Sequence, residues 1–408
     1  MKTAALTVLV GLSLLQAGIA LAAEAPFYFV QHNFVASKIG FRSDAVSRKF
    51  VNSWGLAIRP AGEGGHFWVT AKDKSYEYVG DVRQSPNRSL RRLHTDKLRF
   101  VKLPTGGEDN FATGVVFSGS QKDFVITQLV TGAGMITEPA KFLFASDGGI
   151  ISAWTERKKE DGSFDRASEA IPVIDQSKDG AQFFGVAVSH DYDTLYAADF
   201  GSNPAIKVYD GNFQPLNVTF DMPFDENKNG KLDAGEYAAF NIQAISNGKT
   251  KHHLFVAYAK TQTCPDEEVK NNTCKAGELF VGEEDTSKPG MGRVAEFTED
   301  GRLVRVWKDN GKLSAPWGFA VAPKSWGKFA GALLVSNLGD GTISAFSSRS
   351  AKFIDYLRDT KGNPIRNEKM WGILFGNGES LGDKDALYFA AGPKDESEGV
   401  FGSIRPAK

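Results

Sequence analysis

Six times along this 408-residue chain a short apolar phrase returns, and few folds accommodate a phrase repeated six times. The copies are Trp54-Gly55-Leu56-Ala57-Ile58, Gly114-Val115-Val116-Phe117, Gly185-Val186-Ala187-Val188, Asn241-Ile242-Gln243-Ala244-Ile245, Trp317-Gly318-Phe319-Ala320-Val321 and Trp371-Gly372-Ile373-Leu374-Phe375. A second apolar run follows each one, at 66–69, 142–145, 194–197, 253–256, 333–335 and 387–389. A third run follows a Gly or Asp turn, clearest at 149–154 and 341–346, and a fourth is visible at 303–307. The runs are short, β-rich and divided by Gly, Asn and Asp, with almost no helical periodicity between them. These features predict an all-β fold, a six-bladed β-propeller. Four-stranded blades need about 40–45 residues, so the uneven repeat starts at 54, 114, 185, 241, 317 and 371 place the surplus in loops.

No Pro- or Ser-rich linker divides the chain, so residues 23–408 are read as one propeller domain. Residues 27–35 alternate like a strand ahead of the first repeat and are predicted to form the outer strand of the last blade, closing the ring. The recurrent Trp-Gly pair is read as packing, with Gly where backbones approach near the axis and the aromatic where blades meet.

Ahead of the domain, Lys2, an apolar run over 4–15 and the small residues Ala20-Leu21-Ala22 have the layout of a cleavable secretory signal at 1–22. No later segment is long and apolar enough to span a bilayer, so stable membrane insertion is not expected once the signal is removed. The expected location is extracytoplasmic, secreted or periplasmic. Loss of Lys2 leaves 47 basic against 49 acidic residues, and a chain so near neutrality has no global electrostatic case for nucleic acid.

Residues 225–236 read Asp-Glu-Asn-Lys-Asn-Gly-Lys-Leu-Asp-Ala-Gly-Glu, which fills every slot of an EF-hand calcium loop. Asp225, Asn227 and Asn229 supply hard oxygens at positions 1, 3 and 5, and Gly230 permits the sharp turn. Lys231 would contribute its backbone carbonyl, Asp233 would bind directly or through water, and Glu236 would give two oxygens. Three carboxylates and two amides predict a calcium affinity of roughly 10⁻⁵ to 10⁻³ M, in the range of extracellular structural sites. The second loop and flanking amphipathic helices of a calmodulin-like switch are missing.

The two cysteines, Cys264 and Cys274, are predicted to form a disulfide in an oxidising compartment, bracing a polar insertion at 264–274. A two-cysteine metal site is the alternative, with His252 and His253 the nearest histidines in sequence. Asp147, Asp199, Asn337 and Asp340 follow second strands at comparable places, where they would line a polar pocket on one face or serve as ordinary turn residues.

Several ordered phrases carry a resemblance. Val51-Asn52-Ser53-Trp54-Gly55-Leu56-Ala57, Phe144-Ala145-Ser146-Asp147-Gly148-Gly149-Ile150-Ile151-Ser152-Ala153-Trp154, Ala315-Pro316-Trp317-Gly318-Phe319-Ala320, Leu338-Gly339-Asp340-Gly341-Thr342-Ile343 and the phrase at 371–378 together resemble a family of exported bacterial propeller-like proteins of uncharacterised function. The resemblance covers nearly the whole chain after the leader. Members of that family often end in a PEP-CTERM sorting tail, whereas Arg405-Pro406-Ala407-Lys408 carries no such motif. The resemblance implies no catalytic residues. The calcium-loop match looks like an elaboration of the short link that precedes the family's Phe-Asn-Ile-Gln phrase, here at 240–243.

These readings favour an exported calcium-binding propeller that presents a face to a surface polymer or protein partner without catalysis. The alternative is a metal-dependent hydrolase of lactones or esters, similar to gluconolactonase and NHL-type propellers, using Asp147, Asp199, Asn337 and Asp340 in the channel. Quinone-dependent dehydrogenation has less support. Nucleophilic catalysis has little, since no Gly-x-Ser-x-Gly elbow occurs.

Overall fold

The computed structural model describes residues 27–246 and 252–407, so the predicted leader lies outside the described residues. Within them the six phrases are the inner strands of one closed ring. Blade 1 runs from Ser53–Ala57 at the axis through Phe67–Ala71 and Lys74–Tyr78 to Phe100–Lys102 at the rim. Blade 2 follows with Ala112–Phe117, Phe142–Ser146, Ile150–Trp154 and Ile171–Asp175, and blade 3 with Phe183–Val188, Thr194–Asp199 and Ala205–Asp210. Blade 4 has Tyr237–Ser246, His252–Thr263, Gly292–Phe297 and Leu303–Val306, and blade 5 has Pro316–Val321, Leu333–Asn337, Ile343–Phe346 and Phe353–Tyr356. Blade 6 has Met370–Phe375, Leu387–Ala391 and Val400–Pro406, and takes its next strand from Phe29–Ala36. The predicted closure by the N-terminal strand is therefore present.

Every inner strand slips register against its neighbour at the repeated phrase, and the slip is a bulge that turns the strand across the axis. Glycine is required there because the next blade lies against it. A Cβ on Gly55 would stand 2.5 Å from the Thr113 carbonyl oxygen, and one on Gly372 would stand 2.7 Å from that of Trp54. Hydroxyls stitch the same seam. Thr70 Oγ1 accepts from the Gly55 N–H at 2.7 Å and donates to the Thr113 carbonyl at 2.6 Å, while Thr113 Oγ1 donates to the Phe183 carbonyl at 2.6 Å. In blade 4 asparagine replaces the glycine, and Asn241 Nδ2 donates to the Trp317 carbonyl at 2.8 Å.

The apolar core is divided to match. Six clusters fill the seams between neighbouring blades, such as Leu143, Ile151, Phe183 and Leu195 between blades 2 and 3, and a seventh sits on the axis. Blade 3 departs from the expected four strands. After Ala205–Asp210 the chain turns on Asp210, whose Oδ1 accepts from Asn212 and Gln214, and the segment up to Phe224 does not add a strand. It lays Val218, Phe220 and Phe224 into the gap between blades 3 and 4 instead. Burying that apolar surface offsets the missing ladder hydrogen bonds.

Candidate functional site

The residue before each inner-strand glycine points at the axis, and in five of the six blades it is aromatic. Trp54, Phe184, Trp317 and Trp371 precede Gly55, Gly185, Gly318 and Gly372, while Phe240 precedes Asn241. Blade 2 has Thr113 in that place. The Trp54 and Trp371 rings stack with centroids 3.6 Å apart, Trp317 meets Trp371 edge-on at 6.0 Å, and Phe184 bridges Trp54 and Phe240. All five are at most 5% exposed, so they plug the ring. On one side of the plug the axis opens as a cavity of about 510 Å³ lined by apolar residues such as Leu56, Val116, Val188, Ile242 and Leu374. On the other side lies a polar cavity of about 380 Å³.

The polar cavity is the candidate site, because residues from five blades meet there, with charged or amide side chains from four of them. Its floor is Trp54, Phe184 and Trp371 with Phe111; its walls are Asn110 and Asp147 from blade 2, Gln182 from blade 3, and Lys369, Asp395 and Glu396 from blade 6. Its cover comes from blade 4. The strand His252–Thr263 runs past the end of its blade, the chain is joined by the Cys264–Cys274 disulfide, and Leu279–Glu284 returns antiparallel with Thr261 opposite Glu284. The returning strand carries Val281, Gly282, Glu283 and Glu284 over the mouth. Gly282 abuts the Gln182 side chain of blade 3, and Glu284 Oε1 lies 3.4 Å from Lys369 Nζ of blade 6. Blades 3 and 6 face each other across the ring, so this arm crosses the axis. The cysteines are thus paired, as predicted, and what they brace is the cover of the cavity.

Backbone conformation aims the walls inward. Lys369 sits at φ 51°, and Asn52 and Ala315, likewise two residues before a plug tryptophan, have φ 45° and 42°. Lys394, Asp395 and Glu396 form three consecutive left-handed residues at φ 59°, 51° and 64°. For non-glycine residues each such conformation costs about 1–2 kcal/mol, and strain of that kind gathers where side chains are held for use. Asn52 ties floor to wall: its Oδ1 accepts from Trp371 Nε1 at 2.9 Å and its Nδ2 donates to Glu396 Oε2 at 2.8 Å.

Five carboxylates line the cavity against Lys369. Burial pushes the Asp147 carboxyl up to about 6, although the Phe111 N–H, Asn110 and Lys72 work against the rise. Burial pushes Glu284 up to about 7 despite Lys369, and it raises Glu283 and Glu396 as well. Burial alone would lower Lys369, but attraction to Glu284, Glu396 and Asp395 outweighs it and the ammonium is held more firmly. Groups poised near neutrality in a polar cleft can exchange protons or bind charged and hydroxylated ligands.

Of the four residues singled out after second strands, only Asp147 lines this cavity. Asp147 Oδ1 accepts from Phe111 N at 2.7 Å, Asp199 Oδ1 from Gln182 N at 2.9 Å, and Asn337 Oδ1 from Ser314 N at 3.1 Å. Each pins the segment entering the inner strand of its own blade. Asp340 caps the turn at Thr342 and pairs with Arg366 at 3.3 Å. The four do not converge in a channel. Lys369, Glu283, Glu284, Asp395 and Glu396 gave no sequence signal of their own; the nearest clue is that Lys369 stands two residues before a plug tryptophan.

The loop at 225–236 leads straight into the inner strand of blade 4, with no helix on either side, and its Leu232 packs against the axial cluster. Asp225 Oδ2 accepts from Gly230 N at 2.8 Å, Asn227 Oδ1 from Asn229 N at 3.0 Å, and Asn229 Oδ1 from Lys231 N at 2.8 Å, with Gly230 at φ 75°. Glu236 Oε1 and Oε2 accept from Glu226 N and Asp233 N, and the Asn227 and Asn229 amides both donate to Asp233 Oδ2, at 2.6 and 2.7 Å. The hard-oxygen set fits calcium in kind, and two N–H donors converge on one carboxylate where a cation would serve. Among the described residues no three His, Cys, Asp or Glu side chains are grouped as ligands of one ion, so a closed cage requires both amides to turn their oxygens inward. The Glu236 carbonyl accepts from Thr261 N at 2.8 Å and Thr261 Oγ1 at 3.0 Å.

No family model matches the chain. It is similar to three uncharacterised proteins of Acanthamoeba polyphaga mimivirus. R648 is 24% identical over 379 residues, covering 91% of this chain and 79% of that protein. L690 is 28% identical, covering 52% of this chain and 48% of that protein, and R640 is 27% identical, covering 66% and 43%. The chain thus spans less than half the length of the latter two. Among solved structures, the soluble aldose sugar dehydrogenase of Escherichia coli superposes with a TM-score of 0.46 at 12% identity, covering 93% of this chain and 100% of that one. A virginiamycin B lyase of Staphylococcus aureus superposes with a TM-score of 0.43 at 12% identity, covering 93% and 99%. No described helix is long and apolar enough to cross a membrane.

Proposed function

We propose that this protein is an exported, calcium-braced binding propeller whose ligand seat is the arm-covered polar cavity on the axis. The observation that carries the reading is the path from loop to cover. Glu236 closes the loop and its carbonyl holds Thr261, and Thr261 is registered opposite Glu284, which reaches Lys369 over the seat. Calcium would be held by Asp225, Asn227, Asn229, the Lys231 carbonyl, Asp233 and Glu236. Neutralising the three carboxylates would stiffen the root of the arm. The partner class in this reading is a surface polymer or protein that inserts one residue into the seat.

The test is metal analysis with thermal melts in calcium and in chelator, for wild type and Glu236→Gln. One calcium per chain and a chelator-sensitive melt that the substitution abolishes are expected. Absence of calcium binding at millimolar concentration overturns the bracing role. N-terminal mass analysis of exported protein should find cleavage after Ala22; an intact leader on soluble protein overturns the export route.

A second reading, turnover of a lactone or ester, is favoured by one observation: Asp147 in the wall and Glu284 in the cover of one cavity are raised to about 6 and about 7. Hydrolysis of such substrates that disappears in Glu284→Gln would establish it.

A further inference from the structure

The charge balance of the axial cavity goes further than its existence and assigns a ligand chemistry; this inference rests on the cavity being the seat. Asp147, Glu283, Glu284, Asp395 and Glu396 line it against Lys369, whose Nζ is already shared among Glu284 at 3.4 Å, Glu396 at 3.7 Å and Asp395 at 3.9 Å. Asp147, in the blade 2 wall, receives the Phe111 N–H at 2.7 Å and feels the Lys72 ammonium, whose Nζ lies 4.4 Å from the centre of the Phe111 ring. Five carboxylates therefore outnumber the two lysines at the cavity, Lys369 in its wall and Lys72 beside Phe111.

The floor supplies an independent indication. Trp54 is 3% exposed, lines the cavity, and its indole Nε1–H has no acceptor. Its neighbour Trp371 has satisfied the same group with Asn52 Oδ1 at 2.9 Å. A buried donor without a partner costs about 1–3 kcal/mol, and a ligand oxygen beside it removes that cost. Aromatic faces with carboxylates around them are the usual surroundings of an organic ammonium group. A bare metal ion satisfies neither the indole donor nor the aromatic floor, and an anion meets five carboxylates. A cavity of about 380 Å³ holds one sugar-sized or amino-acid-sized unit.

We propose that the axial cavity binds an organic ammonium unit bearing oxygen acceptors, of the size of a single hexosamine, with its cation toward Asp147 and the arm glutamates and an oxygen on Trp54 Nε1. The lysine at 369 then sets orientation by excluding the ammonium from the blade 6 side. The proposal concerns binding and invokes no bond-making step.

The test is calorimetric titration of the calcium-loaded protein at pH 7.5 with matched pairs: glucosamine against N-acetylglucosamine and glucose, and spermidine or choline against uncharged diols of similar size. Each ammonium is expected to bind at least tenfold more tightly than its uncharged counterpart. The preference should fall at least tenfold in the Glu283→Gln, Glu284→Gln double variant and disappear in Gln182→Trp, which fills the cavity. Equal or tighter binding of the N-acetyl or neutral compounds, lost in Gln182→Trp, overturns the ammonium assignment and leaves the seat standing. Ammonium-selective binding that persists in Gln182→Trp places the ligand elsewhere and overturns both. Absence of binding by every ammonium tested overturns the proposal. The double variant, which is nearly isosteric, guards against misfolding of Gln182→Trp, and its melting curve is recorded alongside.

Discussion

Lys369 and Glu284 stand 85 positions apart in sequence and meet with Nζ 3.4 Å from Oε1, joining the root of blade 6 to an arm from blade 4 across the mouth of the ring. Their side chains are 22% and 11% exposed. Lys369→Met leaves Glu284, Glu396 and Asp395 without their cation. Because Glu284 can take a proton instead, the loss should be moderate, about 1–2 kcal/mol at pH 8 and smaller at pH 5.5. Denaturant melts at the two pH values check this, and an equal loss at both contradicts the coupling.

The raised carboxylates predict how stability varies with pH. A group whose folded pKa exceeds its unfolded value retains a proton in the fold that the unfolded chain releases, so its contribution is full below the unfolded pKa and is lost as pH rises through the folded one. Asp147 at about 6 and Glu284 at about 7, with Glu283 and Glu396 raised in the same sense, place that loss between about pH 4 and pH 7. Chelated protein is expected to be more stable at pH 5 than at pH 7.5. The lowered aspartates such as Asp96 and Asp355 act below pH 4 and leave this window alone. Stability that rises from pH 5 to 7.5 would contradict the described environments.

Glu77 offers a cleaner version of the same effect. It lies on the third strand of blade 1, fully buried, with neither carboxylate oxygen hydrogen-bonded, and burial drives its pKa well above the ordinary range. Burial therefore favours the neutral side chain in the fold. Glu77→Gln keeps the shape and removes the need to hold a proton, so it should stabilise at pH 8 by about 1 kcal/mol or more and matter little at pH 4. Urea unfolding of the two proteins at those pH values decides it.

The plug can be opened. Trp371 is 1% exposed, stacks on Trp54 and holds Asn52. Trp371→Ala should cost about 3–5 kcal/mol and free both Asn52 and Glu396, so the guanidinium midpoint and ligand affinity fall together. A loss of affinity without loss of stability would argue against the shared floor.

Reduction of Cys264–Cys274 tests the arm. A closed loop of this size stabilises by roughly 3 kcal/mol in the chain-entropy model, but the loop lies outside the blade sheets. Cys264→Ser with Cys274→Ser is expected to leave the main melting transition nearly unmoved while protease cleavage at residues 264–290 and ligand release both accelerate. A large drop in the main transition would show that the arm is part of the ring's core.

The ring was legible because its constraint is local and repeated. Each inner strand has a bulge at one point, with a glycine there in five blades and an axial aromatic in five, and Trp54-Gly55, Trp317-Gly318 and Trp371-Gly372 print both directly. The closing strand was legible too, since residues 27–35 alternate ahead of the first repeat. The site was not, because its walls come from segments that meet only once the circle closes: Asp147, Gln182, Glu284 and Lys369 share no spacing. Asp199 and Asn337 attracted notice as recurrent polar residues, but the recurrence reflects a shared structural task, the anchoring of the segment that enters the inner strand. The missing outer strand of blade 3 escaped because Val218, Phe220 and Phe224 alternate as a strand would, yet spend that alternation in a seam between sheets.

Blade 6 draws Phe29–Ala36 from the beginning of the domain and Val400–Pro406 from near its end. The ring therefore cannot lock while the ribosome is still at work on the later blades, and the first strand must wait, unpaired, for the rest. The ring locks only after residues 400–406 arrive, a late and long-range pairing of the kind that sets slow folding.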